Sequence, residues 1–225
     1  MDTEPSLFVT GTDTGVGKTV VACALLHRLR ARGLRAVGMK PVAAGVEATP
    51  DGQVNPDVLA LRRASSWLAP LDQVNPYCFE PPIAPHVAAA LTGERIEIGP
   101  IRKAFAALRA SADAVVVEGV GGFLVPLNER EDASDLAAAL GLPVVLVVGM
   151  RLGCLNHALL TQQAIARRSL RLAGWIANSI DPGMARFDEN LSALRQRIGA
   201  PLLGVLPYRP CPDPSSLELV LPSAP

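Results

Sequence analysis

A glycine-rich segment near the N-terminus has the composition of a phosphate-binding loop. Residues 11–19 read Gly-Thr-Asp-Thr-Gly-Val-Gly-Lys-Thr and lie between a short apolar run and a helical pattern. Glycines let successive backbone N–H groups turn toward an anion, and the start of the following helix adds partial positive charge. In such a loop Lys18 would reach the β- and γ-phosphates of a nucleotide, and the Thr19 hydroxyl would bind Mg²⁺. The segment therefore predicts nucleotide binding.

The spacing of this loop departs from the usual pattern. Phosphate-binding loops ordinarily have four residues between the first glycine and Gly-Lys-Thr. Here five residues separate Gly11 from Gly17, and Thr12 takes the position where the first glycine is expected. A glycine-rich turn with a chance Lys-Thr pair is the alternative. We favour the phosphate-binding interpretation because the segment lies between a strand and a helix and retains Gly-Lys-Thr.

Three charged residues are candidates for the rest of such a site. Glu118 ends a β-branched run and is followed by glycines; a buried carboxylate there is unfavourable unless it is paired or binds a metal. Lys40 ends a short strand pattern, where ligands gather in doubly wound sheets, and is a candidate second cation. The alternatives are a plain strand end for Glu118, a solvated lysine for Lys40, and a helix cap for Asp57, which follows Pro56.

The hydrophobic pattern supplies the elements that must position these residues. It predicts strands over 7–10, 36–39, 113–117, 143–148, 172–177 and 202–206, and helices over 19–32, 57–64, 100–110, 132–140, 156–168 and 185–198. Continuous β-branched runs are typical of parallel strands that are covered on both faces. We therefore predict the α/β class: one P-loop NTPase-like domain over 1–225, with a doubly wound, mostly parallel sheet and helices on both faces.

Two segments fall outside the alternation of strands and helices. Residues 43–56 are polar and rich in glycine and proline, which predicts a surface loop. The tail from Pro207 contains many prolines and predicts an extended segment on the surface.

The composition excludes several classes of protein. The 225 residues include 21 basic and 21 acidic side chains, so no overall charge attracts nucleic acid or an anionic membrane. No apolar run reaches the roughly 20 residues of a membrane span, and residues 1–6 lack the basic start of a signal peptide. Four scattered cysteines predict free thiols. We expect a cytoplasmic protein with neither nucleic acid nor a membrane as its partner.

Several ordered segments together resemble the dethiobiotin synthetase family, from Leu7 to about Tyr208. Besides the loop, whose longer spacing is that family's own, the matching stretches are Lys-Pro-Val at 40–42, Val-Asn-Pro-Tyr at 74–77, Val-Glu-Gly-Val-Gly-Gly at 117–122, Leu-Gly-Cys-Leu-Asn-His at 152–157, Gly-Trp-Ile-Ala-Asn at 174–178 and Pro-Leu-Leu-Gly-Val-Leu-Pro at 201–207. The resemblance implies an ATP-dependent ligase. Its substrates would be 7,8-diaminopelargonic acid, CO₂ and ATP, and its intermediates a carbamate and a carbamic-phosphoric anhydride.

The resemblance also assigns residues to roles. Lys18 and Lys40 would be catalytic. Mg²⁺ would be bound by Thr19, Asp57 and Glu118. The ATP-binding residues would be Thr14, Gly15, Val16, Gly17, Lys18, Thr19, Asp57, Glu118, Gly119, Val120, Gly121, Asn178, Pro207, Tyr208 and Arg209. The diamine would contact Ala44 and, across a homodimer with shared sites, Gly153, Cys154, Leu155 and Asn156 of the neighbouring subunit.

Some residues depart from the family or admit another function. Ala44 has no hydroxyl where the family often has one, and Gly15 replaces a glutamate of some relatives. Asn156 could simply cap a helix. A partition- or metal-insertion-type ATPase is the leading competitor, although such proteins often carry a second lysine where this chain has Thr14. A nucleotide-binding regulator without turnover is the other alternative, whereas a cobyrinate-type amide synthetase would need a longer chain.

Overall fold

The computed structural model describes residues 6–49 and 52–222, so parts of the predicted domain span 1–225 and of the predicted loop 43–56 lie outside the described residues. The strands, in chain order, are β1 (Leu7–Gly11), β2 (Ala36–Met39), β3 (Val42–Ala44), β4 (Glu47–Thr49), β5 (Gly52–Val54), β6 (Tyr77–Phe79), β7 (Ala114–Glu118), β8 (Val144–Met150), β9 (Leu172–Ser179) and β10 (Leu202–Leu206).

The helices, likewise in chain order, are α1 (Lys18–Ala31), α2 (Pro56–Ala64), α3 (Leu71–Val74), α4 (Pro85–Thr92), α5 (Ile98–Ser111), α6 (Ala133–Leu140), α7 (Cys154–Arg167) and α8 (Phe187–Arg197). A short 3₁₀ turn, Pro214–Ser216, follows in the tail. Within the described part of the chain, no helix is long and apolar enough to cross a membrane.

Six strands form one parallel sheet in the order β10-β9-β8-β1-β7-β2. After β1 the chain forms β2 at the edge of the sheet and later returns to form β7 between β1 and β2. It then crosses to the other side of β1 to form β8. Strand order therefore reverses around β1, and in open α/β sheets the crevice at the carboxyl end of such a strand is the usual ligand site. Residues 12–17 leave β1 at that end and lead into α1.

Alternate residues of the central strands pack on opposite faces of the sheet. Leu7 and Val9 belong to a cluster that α1 covers, whereas Phe8 belongs to the cluster on the other face, with residues of α5 and α6. All residues of β7 and β8 are buried. The six strands predicted from β-branched and apolar runs are all present, and the predicted α/β fold is confirmed.

Two predictions about connecting segments are wrong in part. The predicted surface loop 43–56 contains β3, which pairs in parallel with β6, and the β4–β5 hairpin, and Ala43 is fully buried. The predicted surface tail is mostly exposed over 207–216, as expected, but it then returns to the core: Leu217, Leu219 and Leu221 are buried in the α1 cluster. A side chain at Gly204 would place its Cβ 2.5 Å from Leu219, so glycine allows this close approach.

Candidate functional site

The phosphate loop has the backbone conformation that its glycines predict. Gly17, the residue before α1, has φ +91°, and a side chain there would collide with the amide of Asn178. Asn178, at the end of β9, donates from Nδ2 to the carbonyl of Val16 at 2.8 Å. The loop is therefore fastened to a neighbouring strand at the point where α1 begins.

Thr12 accounts for the additional residue in the loop. Its backbone N–H donates to Val147 O at 3.0 Å, which continues the pairing of β1 with β8 by one residue. Its Oγ1 accepts a hydrogen bond from the Gly149 N–H at 3.2 Å. A glycine at this position could not make the second bond, so the unusual spacing fastens the loop to β8 as well as to β9.

Lys18, the first residue of α1, is buried against its own loop. Its Nζ donates to the carbonyl of Asp13 at 2.9 Å, and the residue is 6% exposed. The pKa of Lys18 is lowered to about 8, first by burial and then by the charge of Lys40, while nearby carboxylates such as Glu118 act in the opposite direction. The amine is thus held close to the loop by a single carbonyl partner that a phosphate oxygen can replace.

One cluster lies at the carboxyl ends of β2 and β7 and consists of Lys40, Asp57, Glu118 and Thr19. The Lys40 Nζ lies 3.0 Å from Asp57 Oδ2 and 2.5 Å from Glu118 Oε1, and it also donates to the carbonyl of Gly119 at 3.2 Å. The Thr19 hydroxyl lies 2.8 Å from Asp57 Oδ1 and 2.9 Å from Glu118 Oε1. Lys40 is 4% exposed, so the solvated-lysine alternative is wrong.

Asparagines fix the backbone on both sides of this cluster. The N-cap of α2 is Asn55, which accepts from the N–H groups of Asp57 and Val58, so the helix-cap alternative for Asp57 is wrong. Asn75 donates from Nδ2 to the carbonyl of Lys40 at 2.7 Å. Neither asparagine was predicted from the sequence. The order Asn-Pro-Asp at 55–57 is itself an N-terminal helix signal that could have identified the first one.

Burial and pairing act in opposite directions on the charges of the cluster. Burial raises the pKa of Glu118 above its usual range, although Lys40 lowers it. Burial lowers the pKa of Lys40, but the two carboxylates outweigh this effect and hold it above its usual value. Burial also raises the pKa of Asp57, which Lys40 and Thr19 nevertheless bring below its usual value. Lys40 therefore stays protonated, and added positive charge beside Glu118 would favour its ionised form.

The cluster has a donor set that fits Mg²⁺. The buried Oε2 of Glu118 has no hydrogen-bond partner among the described residues, which leaves an oxygen available to a cation. Mg²⁺ typically takes one or two carboxylates and completes its shell with water and substrate phosphates. Asp57 and the Thr19 hydroxyl supply further oxygens beside that atom. Across the described ranges, no group of three or more His, Cys, Asp or Glu side chains is placed to bind a metal. Phosphate oxygens would therefore have to complete the coordination of a Mg²⁺ ion bound at this cluster.

The loop and the cluster line a cleft of about 760 Å³. The predicted site residues that line it are Thr14, Gly15, Gly17, Lys18, Thr19, Lys40, Ala44, Asp57, Glu118, Val120 and Gly121. The rest of the lining includes an apolar group, 82–85 and Val125. This apolar group was not predicted, because proline, isoleucine and alanine carry no chemical signal that distinguishes a binding surface from a core.

A second cavity, of about 260 Å³, lies on the other side of the loop and shares Gly15 and Gly17 with the first. Four predicted ATP-binding residues meet there: Asn178, Pro207, Tyr208 and Arg209. Leu217 of the tail also lines this cavity, which was not predicted. Gly119 lines neither cavity; a Cβ there would be 3.2 Å from the Phe8 ring, and its carbonyl accepts from Lys40.

The predicted substrate segment 153–156 lies apart from both cavities. Gly153 is the N-cap of α7 and Asn156 lies in the first turn, so the helix-cap alternative for Asn156 is wrong. Cys154 is buried, whereas the preceding Leu152 is 93% exposed. The structure therefore does not bring this segment to the cleft of its own chain.

Comparison with known proteins gives consistent full-length relatives. A profile of the AAA domain family matches residues 5–215. The chain is 61% identical to the ATP-dependent dethiobiotin synthetase BioD of Aromatoleum aromaticum, over 97% of this chain and 98% of the relative. It is 56% identical to the protein of that name from Nitrosospira multiformis, over 95% of this chain and 93% of the relative.

Solved structures share the fold at low sequence identity. The septum site-determining protein MinD from Pyrococcus horikoshii, complexed with Mg-ADP, gives a TM-score of 0.58 at 17% identity and covers 92% of this chain and 82% of its own. A ParA family ATPase from Chlorobium tepidum gives 0.54 at 12% identity, over 92% and 85% of the two chains. At these identities the likeness supports the P-loop fold and carries no further conclusion.

Proposed function

The chain belongs to the ATP-dependent dethiobiotin synthetase family, and we propose that it carries out the reaction this name describes, with 7,8-diaminopelargonic acid, CO₂ and ATP as substrates. As a member of the family it is an ATP-dependent ligase. CO₂ adds to one amine to give a carbamate and a proton, and a carbamate oxygen attacks the γ-phosphorus of ATP while ADP leaves. The second amine then attacks the carbonyl carbon, phosphate leaves, and the ureido ring closes.

The observation that carries this proposal is the buried cluster beside the phosphate loop. A cation and a hydroxyl each lie within 3.0 Å of the same two carboxylates, and all four groups line the cleft. Phosphoryl transfer requires mainly positioning and positive charge around the transferring group. Thr19, Asp57 and Glu118 would hold Mg²⁺, which, when bound, neutralises phosphate oxygens.

The two buried lysines would supply the remaining positive charge. Lys18 would exchange the Asp13 carbonyl for a phosphate oxygen, which would restore a full charge to an amine whose pKa is lowered to about 8. Lys40 stays protonated between its carboxylates and faces the cleft, where it would stabilise the carbamate and the transferring phosphoryl group. The apolar residues at 82–85, which line the cleft, suit the alkyl chain of the diamine.

One measurement distinguishes the ligase from its alternatives. We expect phosphate release from ATP to require both the diamine and bicarbonate, with ring-closed product formed in equal amount. A partition-type ATPase would release phosphate without the diamine, and a regulator would bind nucleotide without releasing phosphate. Either result would overturn the proposed function.

We also propose that two subunits share each site. This arrangement is supported by the position of 153–156 outside the cleft of its own chain and by the exposure of Leu152. It is also supported by the start of α7 at this segment, because a helix N-terminus attracts a carboxylate. Mixing Lys18→Ala with Gly153→Glu, each inactive alone, should restore part of the activity, since some heterodimers contain one intact composite site. If activity does not return despite verified subunit exchange, each chain completes its own site.

A cytoplasmic location is proposed because all four cysteines are free thiols.

A further inference from the structure

Asn55 stands between two parts of the cleft that the proposed function uses for different purposes. On one side lies α2, whose Asp57 belongs to the metal-binding cluster. On the other side lies the end of β3, where Ala44 lines the cleft. Asn55 is itself 4% exposed and contributes to the cleft lining. Its surroundings therefore bear on both the metal and the organic substrate.

The side-chain amide of Asn55 uses all of its hydrogen-bonding capacity. Its Oδ1 accepts from the backbone N–H groups of Asp57 at 3.0 Å and Val58 at 3.3 Å. Its Nδ2 donates to the carbonyls of Gly45 at 2.6 Å and Ala44 at 3.3 Å. An asparagine amide offers two donor hydrogens and an oxygen with two lone pairs, so every position is filled. The reverse amide orientation is excluded, because it would set donors against N–H groups and an acceptor against carbonyls.

These contacts go beyond what a helix cap requires. Serine, aspartate and asparagine cap helices about equally well through an oxygen acceptor. The N–H₂ half of the amide plays no part in capping, and here it bridges two carbonyls of a separate segment. From these contacts, we infer that Asn55 is a positioning residue that fixes Asp57 and the Ala44–Gly45 segment relative to each other, an assignment that rests on the proposed function.

The bridge also bears on the missing hydroxyl at position 44. A backbone carbonyl has two lone pairs, so the Ala44 carbonyl retains one after it accepts from Asn55. That remaining lone pair can accept from a substrate amine, provided that the backbone is held in place. Asn55 supplies this constraint from one side, while the Gly45 N–H donates to Phe79 O at 2.9 Å from the other. The Nδ2 group of Asn55 would thus help to position the diamine through Ala44, and its Oδ1 would help to position the metal through Asp57.

Two substitutions separate the halves. Asn55→Ser keeps an oxygen that can cap α2 but loses the N–H₂ group, so we expect the KM for the diamine to rise about tenfold with an unchanged Mg²⁺ requirement. Asn55→Ala loses both halves and should raise the diamine KM and the Mg²⁺ requirement together. Asp132→Ser, which changes the N-cap of α6, is the matched control and should leave both constants unchanged. Thermal unfolding of each variant establishes that it is folded.

The Mg²⁺ requirement is measured as the concentration for half-maximal ADP binding, without diamine and without turnover. If the wild type shows no diamine-dependent phosphate release, the proposed function fails, while the ADP titration with Asn55→Ala still tests the link to Asp57. If the wild type is active and Asn55→Ser has the wild-type diamine KM, the bridge to Ala44 and Gly45 does not position substrate and the inference is overturned. An unchanged Mg²⁺ requirement in folded Asn55→Ala would overturn it equally.

Discussion

The cleft beside the phosphate loop and the smaller cavity on its other side share two glycines but differ in construction. The cleft contains a partly buried network in which Lys40 and Thr19 each contact both Asp57 and Glu118. The smaller cavity is lined by prolines, by Leu217 and by the half-exposed Tyr208, with Asn178, Ser179 and Arg209 as its polar residues. One region is organised around a network of paired charges, and the other around contacts distributed over apolar and polar side chains.

This difference determines how much a single side chain contributes. Inside the network each charge compensates the others, so the loss of one partner leaves a buried group unpaired. In the smaller cavity, contacts are spread over several apolar residues, each individually replaceable. We therefore expect substitutions in the cluster to change the rate strongly, and substitutions around the smaller cavity to change nucleotide affinity modestly.

The largest effect is expected for Lys40→Gln. The variant removes the positive charge that faces the transferring phosphoryl group, and loss of such a group typically lowers the rate ~10²–10³-fold. Because the charge acts mainly on the transition state, kcat should fall far more than the KM for ATP rises. The chain has three lysines, and Lys103→Gln on the exposed surface of α5 is the matched control. A change in the KM for ATP alone would make Lys40 a nucleotide-binding residue.

The next largest effect concerns the metal. Glu118→Gln keeps the size of the side chain and removes its charge, so activity plotted against Mg²⁺ should move to about tenfold higher concentration or more. Asp57→Asn should act in the same direction, while Glu94→Gln, an exposed glutamate, should leave the curve in place. If Asp57→Asn leaves the curve unchanged, Asp57 is not a metal ligand.

A smaller effect is expected from pH. The pKa of Lys18 is lowered to about 8 in the free protein, so the amine loses its charge as pH rises through that value. A bound phosphate favours the charged form, so ADP affinity should be steady below pH 8 and fall by up to about tenfold per pH unit above it. Titrations in EDTA exclude the metal. Lys18→Arg stays charged and should abolish this dependence; an equally steep fall in Lys18→Arg would assign it to another group.

The same contrast explains how much the sequence could predict. The β-branched runs at 113–117 and 143–148 identify buried parallel strands by themselves, and Gly-Lys-Thr identifies the loop. The three-residue strand β3 depends on a partner, β6, that is distant in sequence, so composition alone indicated a loop there. Asn55 could have been identified as a helix cap, but its bridge to Ala44 depends on tertiary placement. Leu217 lies in a proline-rich tail, and only packing onto α1 reveals its role.

The smallest effect is expected for Tyr208→Ala, in the smaller cavity. Tyr208 is 46% exposed beside Asn178 and the loop glycines, so it would cover only one side of a bound base. Loss of a partly exposed aromatic contact of this kind costs about 1 kcal/mol, which corresponds to a several-fold rise in the KM for ATP with kcat retained. Tyr208→Phe keeps the ring and should resemble the wild type. A drop in kcat comparable to that of Lys40→Gln would contradict the division between the two cavities, because it would mean that the base side also controls the transferring phosphoryl group.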